Sequence, residues 1–110
     1  IIGAKDHDAW VAQYSHLPHA ISFALFQQIP KRPLSLKASN PSLKDLARIS
    51  KSNPDLWADI LFSNRAQLMR AISQFRNNLK KLEASIRRPQ ASKLSSFIAR
   101  SNRVSHQIAP

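Results

Sequence analysis

Cysteine is absent from the 110-residue chain, which excludes disulfide frameworks, thiolate metal sites and cysteine nucleophiles, and fits a reducing compartment. Glycine occurs once, at Gly3. Glycine loops that cradle phosphates need several glycines at fixed spacing, so neither a P-loop nor a dinucleotide fingerprint fits here. Acidic residues are scarce: six Asp and Glu stand against seventeen Lys and Arg, for a net charge of +11. No apolar run reaches the roughly 18 residues that span a bilayer. The opening Ile1-Ile2-Gly3-Ala4-Lys5 carries neither an initiator Met nor a basic-then-apolar signal layout. It reads as a cut in mid-protein, with residues expected before Ile1, and the protein is expected to be cytoplasmic.

What is present is helical. With 43% hydrophobic residues the chain is long enough for one globular domain over residues 1–110. A first helix is expected from about Asp8 to Ile29, capped by Asp6 or Asp8. Its Ala20–Phe26 stretch is apolar on nearly every face, which predicts a central, buried helix. Pro18 lies inside it and removes the N–H that would bond the Tyr14 carbonyl, so a kink is expected. Residues 30–41 hold three further prolines, Pro30, Pro33 and Pro41, and read as a loop, and a short helix follows over about Ser42–Ser50. Asn53-Pro54-Asp55 is a strong helix start: Asn to cap, Pro at the first helical position, an acid in the first turn. With no breaker before Pro89, one helix of some 35 residues is expected, followed by a last helix over about Gln90–Gln107. On the long helix Leu68, Ile72, Phe75, Leu79, Leu82 and Ile86 alternate steps of four and three, the seam of a left-handed coiled coil. Leu94, Phe97, Ser101, Val104 and Ile108 answer on the last helix. The fold class is therefore all-α: a bundle of three main helices plus a short one, with a long antiparallel hairpin turning at Pro89. A two-helix hairpin leaves part of its stripe open, and the expected cover is a second copy, giving an intertwined homodimer.

Three groups of residues carry possible chemistry. Ser15, His16 and His19 fall on neighbouring positions of one helical face beside Pro18. A hydroxyl and two imidazoles are costly to bury without partners, so they are either satisfied core residues or donors in a substrate pocket. As metal ligands the histidines lack a third partner at a recognisable spacing. Asp45 and Arg48, spaced i, i+3, allow either a surface ion pair or a carboxylate clamp, because guanidinium grips a carboxylate through two parallel hydrogen bonds. Trp57, one turn into the next helix, is either core or a pocket wall. The His7-Asp8 doublet resembles that of metal-dependent phosphohydrolases, but no upstream His accompanies it, and its ordinary reading is a helix-start cap. Asn64-Arg65 interrupts the apolar stripe with a polar pair, read as interface hydrogen bonding. Beyond Ala66, nine basic residues face Glu83 alone. Most lie off the seam, as on a solvated face. Nucleic-acid binding would want interleaved aromatics, whereas Phe75 and Phe97 both belong to the seam.

Taken together these segments resemble a known family. His7-Asp8 followed by Ser15-His16-Leu17-Pro18-His19 resembles the opening of the helical C-terminal domain of prephenate and arogenate (cyclohexadienyl) dehydrogenases. Lys44-Asp45-Leu46-Ala47-Arg48-Ile49, then Asn53-Pro54-Asp55-Leu56-Trp57-Ala58-Asp59-Ile60 and Asn64-Arg65, is similar to its second signature in order and spacing. The resemblance covers nearly the whole chain. It implies an NAD(P)-dependent oxidoreductase of tyrosine biosynthesis that oxidatively decarboxylates prephenate to 4-hydroxyphenylpyruvate, or arogenate to tyrosine. It also implies that the nucleotide-binding domain, with the catalytic histidine and the NAD or NADP site, precedes this chain, which alone would be inactive. The chain would supply the homodimer interface and part of the substrate pocket. Arg48 would clamp a substrate carboxylate with Asp45 orienting or gating it, Ser15, His16 and His19 would line the pocket, and Trp57 would wall it. No catalytic, cofactor-binding or metal-binding residue is expected within the chain, nor a membrane or nucleic-acid partner. Tyrosine is a possible feedback ligand. Where the family usually carries two glycines and an aromatic before Lys44-Asp45, and Thr before the Arg, this chain has Pro41, Ser42, Leu43 and Ala47. Those departures leave the choice of acid and feedback by tyrosine open. The alternative of a different class is a basic helical interaction or nucleic-acid-binding module.

Overall fold

The structure, a computed structural model, describes residues 3–30, 41–88 and 91–110. Among them every regular element is a helix: α1 (Ala4–Val11), a π-helical turn (Ala12–His16), α2 (Leu17–Gln27), α3 (Pro41–Ser50), α4 (Pro54–Ser63), α5 (Arg65–Arg87) and α6 (Ala91–Ile108). The all-α expectation holds. The expected loop lies almost wholly in 31–40, and the expected turn at Pro89, both outside the described residues. No described helix is long and apolar enough to cross a membrane.

The first helical block begins four residues earlier than expected. Gly3, with φ −64° and ψ 157°, is the N-cap and offers no side-chain acceptor, while Asp6 sits inside the first turn. Asp8 is therefore not the cap. The first-turn bond from His7 N–H to the Gly3 carbonyl, 2.9 Å, and an acid facing the helix dipole suffice to start the helix. Instead of a simple kink, the backbone upstream of Pro18 widens into a π turn, in which the Leu17 N–H bonds the Ala12 carbonyl. Pro18 cannot donate to the Tyr14 carbonyl, and a widened turn is one way a helix absorbs such a loss.

The chain falls into two compact units, Ile1–Ile72 and Ser73–Pro110. In the first, α2 packs on α3 and is tied to it by the Ser22 hydroxyl, fully buried, which donates to the Leu46 carbonyl at 2.8 Å. A buried hydroxyl with its bond made is stabilising; left unmade it would cost about 1–3 kcal/mol. Among the described residues, buried apolar side chains are few: Ala12, Leu17, Leu68 and Ala71. Most of the Ala20–Phe26 stretch is only half-covered, with Ala24 exposed, so α2 is not the fully buried helix its composition predicted.

The largest correction concerns the long helix. Asn53 caps α4 as expected, its side-chain oxygen accepting from the Leu56 N–H at 3.0 Å, with Pro54 at the first helical position. Such a cap contributes about 1 kcal/mol. The helix does not continue to residue 88, however: α4 ends at Ser63, Asn64 takes φ −113° and ψ 30°, and α5 starts at Arg65. Asn is a weak helix former whose side chain competes for hydrogen bonds. Here that side chain bonds residues of the first helical block instead. Arg65 closes the break from the other side, its guanidinium donating to the Phe62 carbonyl at 3.1 Å and lying 4.7 Å over the Phe62 ring.

The second unit holds the rest of α5, together with α6. No described side chain in it is buried, and Leu79, Ile86, Ile98, Val104 and Ile108 are exposed. Along α5 the periodic stripe is buried at Leu68, half-covered at Ile72, Phe75 and Leu82, and open at Leu79 and Ile86. Leu79, Leu82, Glu83, Ile86 and Arg87 line a shallow open groove.

Candidate functional site

The site is assembled from the π turn, α2 and α4, all in the first unit. The start of α4 is fixed locally by Asn53 and Pro54, which sets Trp57 one turn further on. Across from it, His19 of α2 stacks face to face on the Trp57 indole, with ring centroids 3.6 Å apart and planes at 11°. His16 meets the same indole edge-on at 6.2 Å, and Phe23, one turn beyond His19, approaches it edge-on at 6.4 Å. Aromatic contacts of these kinds contribute about 0.5–1.5 kcal/mol each beyond the area they bury.

The hydrogen bonds fix where the imidazole protons sit. His19 Nδ1 lies 2.8 Å from the Ser15 carbonyl oxygen, which only accepts, so Nδ1 carries the proton and the neutral ring keeps Nε2 as an acceptor. His16 Nδ1 lies 3.1 Å from the Asn64 side-chain amide nitrogen. That nitrogen only donates, so His16 Nδ1 is bare and the neutral ring keeps Nε2–H as a donor. The two histidines beside Trp57 thus hold opposite tautomers. His16 is buried, with 9% of its surface exposed. Burial is the main cause that lowers its pKa below the usual 6.5; the neighbouring His19 adds to the effect and Asp8 opposes it.

A pH dependence of stability follows. A histidine whose folded pKa is lowered stays neutral while its unfolded counterpart protonates, so the unfolded state binds more protons. Stability is full above 6.5 and declines as pH falls from there through the folded value. Urea unfolding at about pH 7.5 and about pH 5.5 should show a drop in midpoint that shrinks in His16→Gln. An equal drop in both proteins would assign the effect to other groups.

Of the six residues singled out by the sequence, the structure brings His16, His19 and Trp57 together, and Ser15 joins them through its carbonyl. Asp45 and Arg48 are exposed on α3, and among the described residues no ion pair joins them to each other and no hydrogen bond joins them to the cluster. Two contributors were not singled out as site residues. Phe23 looked like ordinary core. Asn64 was read as an interface residue, and its position in the middle of an apolar helix was the signal. His7 and Asp8 lie 3.7 Å apart and exposed. Among the described residues no group of three or more His, Asp or Glu side chains is placed to hold a metal. The cluster can therefore offer a flat aromatic wall, one hydrogen-bond donor and one acceptor.

Comparison with known proteins gives the fold a family. The sequence profile described as "Prephenate dehydrogenase, dimerization domain" matches residues 3–100. Cyclohexadienyl dehydrogenase from Zymomonas mobilis is 33% identical over 92 residues, 78% of this chain and 31% of that protein. Prephenate dehydrogenase from Lactococcus lactis is 25% identical over 108 residues, 94% of this chain and 30% of that protein. Among solved structures, prephenate dehydrogenase from A. aeolicus in complex with hydroxyphenyl propionate and NAD+ superposes with a TM-score of 0.86 at 31% identity, over 97% of this chain and 39% of that one. Synechocystis arogenate dehydrogenase also gives 0.86, at 26% identity, over 98% of this chain and 41% of that one. The chain spans less than a third of the length of the curated relatives it matches. With the match running from the start of α1 into α6, the chain belongs to the prephenate dehydrogenase dimerization-domain family.

Proposed function

We propose that the chain is the C-terminal, dimer-forming and substrate-binding domain of a prephenate or arogenate dehydrogenase acting in tyrosine biosynthesis. That enzyme would oxidatively decarboxylate prephenate to 4-hydroxyphenylpyruvate, or arogenate to tyrosine, with hydride passing to NAD or NADP. The observation that carries this reading is the stack of His19 on Trp57 with His16 beside it, a wall for a planar six-membered ring in a chain of this family.

The nicotinamide nucleotide does not fit this chain's own residues. The single glycine, Gly3, precedes α1, and the described residues hold no strand from which a glycine loop could lead into a helix. The hydride step therefore belongs to another part of the enzyme, and the residues here bind and orient the acid. Arg48 clamps a carboxylate and Asp45 orients that guanidinium. Ser15, His16 and His19 line the pocket, and Trp57 walls the ring. A homodimer is proposed because the side chains that would need a cover, among them Leu79, Ile86, Val104 and Ile108, are exposed in the single chain. Tyrosine, which shares a 4-hydroxyphenyl ring with the decarboxylated product, is a candidate feedback ligand of the same pocket, and the cytoplasm is the proposed location.

Trp57→Ala in the full-length enzyme tests the reading. Removing the wall should raise the KM for prephenate or arogenate roughly 3- to 10-fold, the worth of one ring stack, with the KM for the nucleotide unchanged. Equal shifts in both constants, or none, would remove Trp57 from the substrate pocket.

A further inference from the structure

Asn64 sits where two unrelated demands meet. It ends α4 and starts α5, its backbone carbonyl accepting the Leu68 N–H at 3.0 Å. Its side-chain nitrogen lies 2.8 Å from the Asp8 carbonyl oxygen and 3.1 Å from His16 Nδ1. A primary amide has two N–H bonds and no acceptor lone pair on nitrogen. The Asp8 carbonyl can only accept, so the nitrogen and not the oxygen of the amide must face it. The same nitrogen then has one hydrogen left, and it points the only way His16 Nδ1 can use: as an acceptor. Both amide hydrogens are committed, and the orientation of the amide is set by a backbone atom that has no alternative role.

We infer that Asn64 is a positioning residue for His16: it locks the imidazole as the Nε2–H tautomer and so presents a fixed hydrogen-bond donor to an acceptor group of the bound acid. The part concerning a bound acid rests on the proposed substrate reading; the tautomer lock stands without it. Protonating His16 would place a new N–H against the amide N–H, breaking the bond and opposing two donors. The amide thereby acts in the same direction as burial and the nearby His19, and against the charge of Asp8, the ionisable neighbours that bear on His16. A donor held in this way does not switch to an acceptor at neutral pH. Its partner His19, locked oppositely by the Ser15 carbonyl, supplies the acceptor, so the pair distinguishes a group that accepts from one that donates.

The experiment is 15N NMR of the imidazole nitrogens in the full-length protein labelled at histidine, with Asn64→Ala and Asn64→Asp alongside. The unsubstituted protein should show His16 with a bare Nδ1 and a protonated Nε2, titrating below pH 6.5. Asn64→Ala should mix the tautomers and raise the pKa. Asn64→Asp, which offers an acceptor where a donor stood, should move the proton to Nδ1 and raise the pKa further. A protonated Nδ1 in the unsubstituted protein overturns the lock outright, even if neither variant folds. Folded variants that keep the bare Nδ1 overturn it as well. In the assay, Asn64→Ala should raise the KM for prephenate or arogenate on the order of 5- to 10-fold, the worth of one neutral hydrogen bond. An unchanged KM with a shifted tautomer would overturn the positioning role. If the unsubstituted enzyme turns over neither acid, the substrate reading fails while the NMR still decides the lock.

Discussion

Replacing Arg48 with Ala in the full-length enzyme should raise the KM for its acid substrate by roughly 30- to 150-fold, the equivalent of about 2–3 kcal/mol for a lost charge-assisted pair. Arg48 is exposed on α3, and no ion pair engages it among the described residues. A guanidinium without a resident carboxylate is free to take one from a ligand, and its planar fork matches that ligand in a bidentate way. The magnitude is itself diagnostic. Were Arg48 to stay open to water in the assembled enzyme, the pair would be worth no more than about 1 kcal/mol, and KM would move only about fivefold. A large effect therefore means that other parts of the enzyme close over α3. Arg48→Lys should recover only part of the loss, because an ammonium cannot form the parallel pair. Asp45→Asn should give a smaller rise, since Asp45 is not paired with Arg48 in the single chain and would orient it only once the pocket is assembled. An unchanged KM in Arg48→Ala would take α3 out of substrate binding.

The other large effect is expected on assembly. Leu82→Glu with Ile86→Glu should convert a dimer into a monomer, read by sedimentation or light scattering at micromolar concentration. Leu82 and Ile86 line the groove on α5, and Ile86 is 63% exposed in the single chain. Fully burying one such side chain contributes about 1.5–3 kcal/mol, and two-fold symmetry counts every contact twice. Losing both, with carboxylates to desolvate in their place, should weaken dimerisation by at least about 100-fold. Lys80→Glu, off the seam on the same helix, should leave the dimer intact. A dimer that survives the double substitution would place the interface elsewhere, and an unsubstituted protein that is monomeric would remove the homodimer from the proposed function.

The two effects differ in kind. The Arg48 result concerns a ligand held by a few polar atoms, where geometry decides the size. The seam result concerns apolar area, where the number of side chains decides it. Among the described residues only four apolar side chains are buried, although 43% of the chain is hydrophobic. Exposed apolar surface on that scale is the usual mark of an interaction site.

Much of this protein was legible in its sequence. The all-α class, the start of α4 at Asn53-Pro54 and the short helix after Pro41 follow from capping and propensity, which act within a few residues. The placing of Ser15, His16 and His19 on one helical face was also visible from their spacing, which left core packing and a pocket equally open. Three features were decided only in three dimensions. Asn64 breaks the long helix because its amide finds the Asp8 carbonyl and His16, partners 56 and 48 residues away, and no local window contains them. The π turn before Pro18 chooses one of several ways to absorb a missing N–H. The tautomer of His16 depends on Asn64, 48 residues away, whereas that of His19 follows from the Ser15 carbonyl one helical turn back. Sequence alone settles what a residue can do within its own helix; a distant partner, and with it the proton on His16, is settled by Asn64 brought to 3.1 Å from the ring.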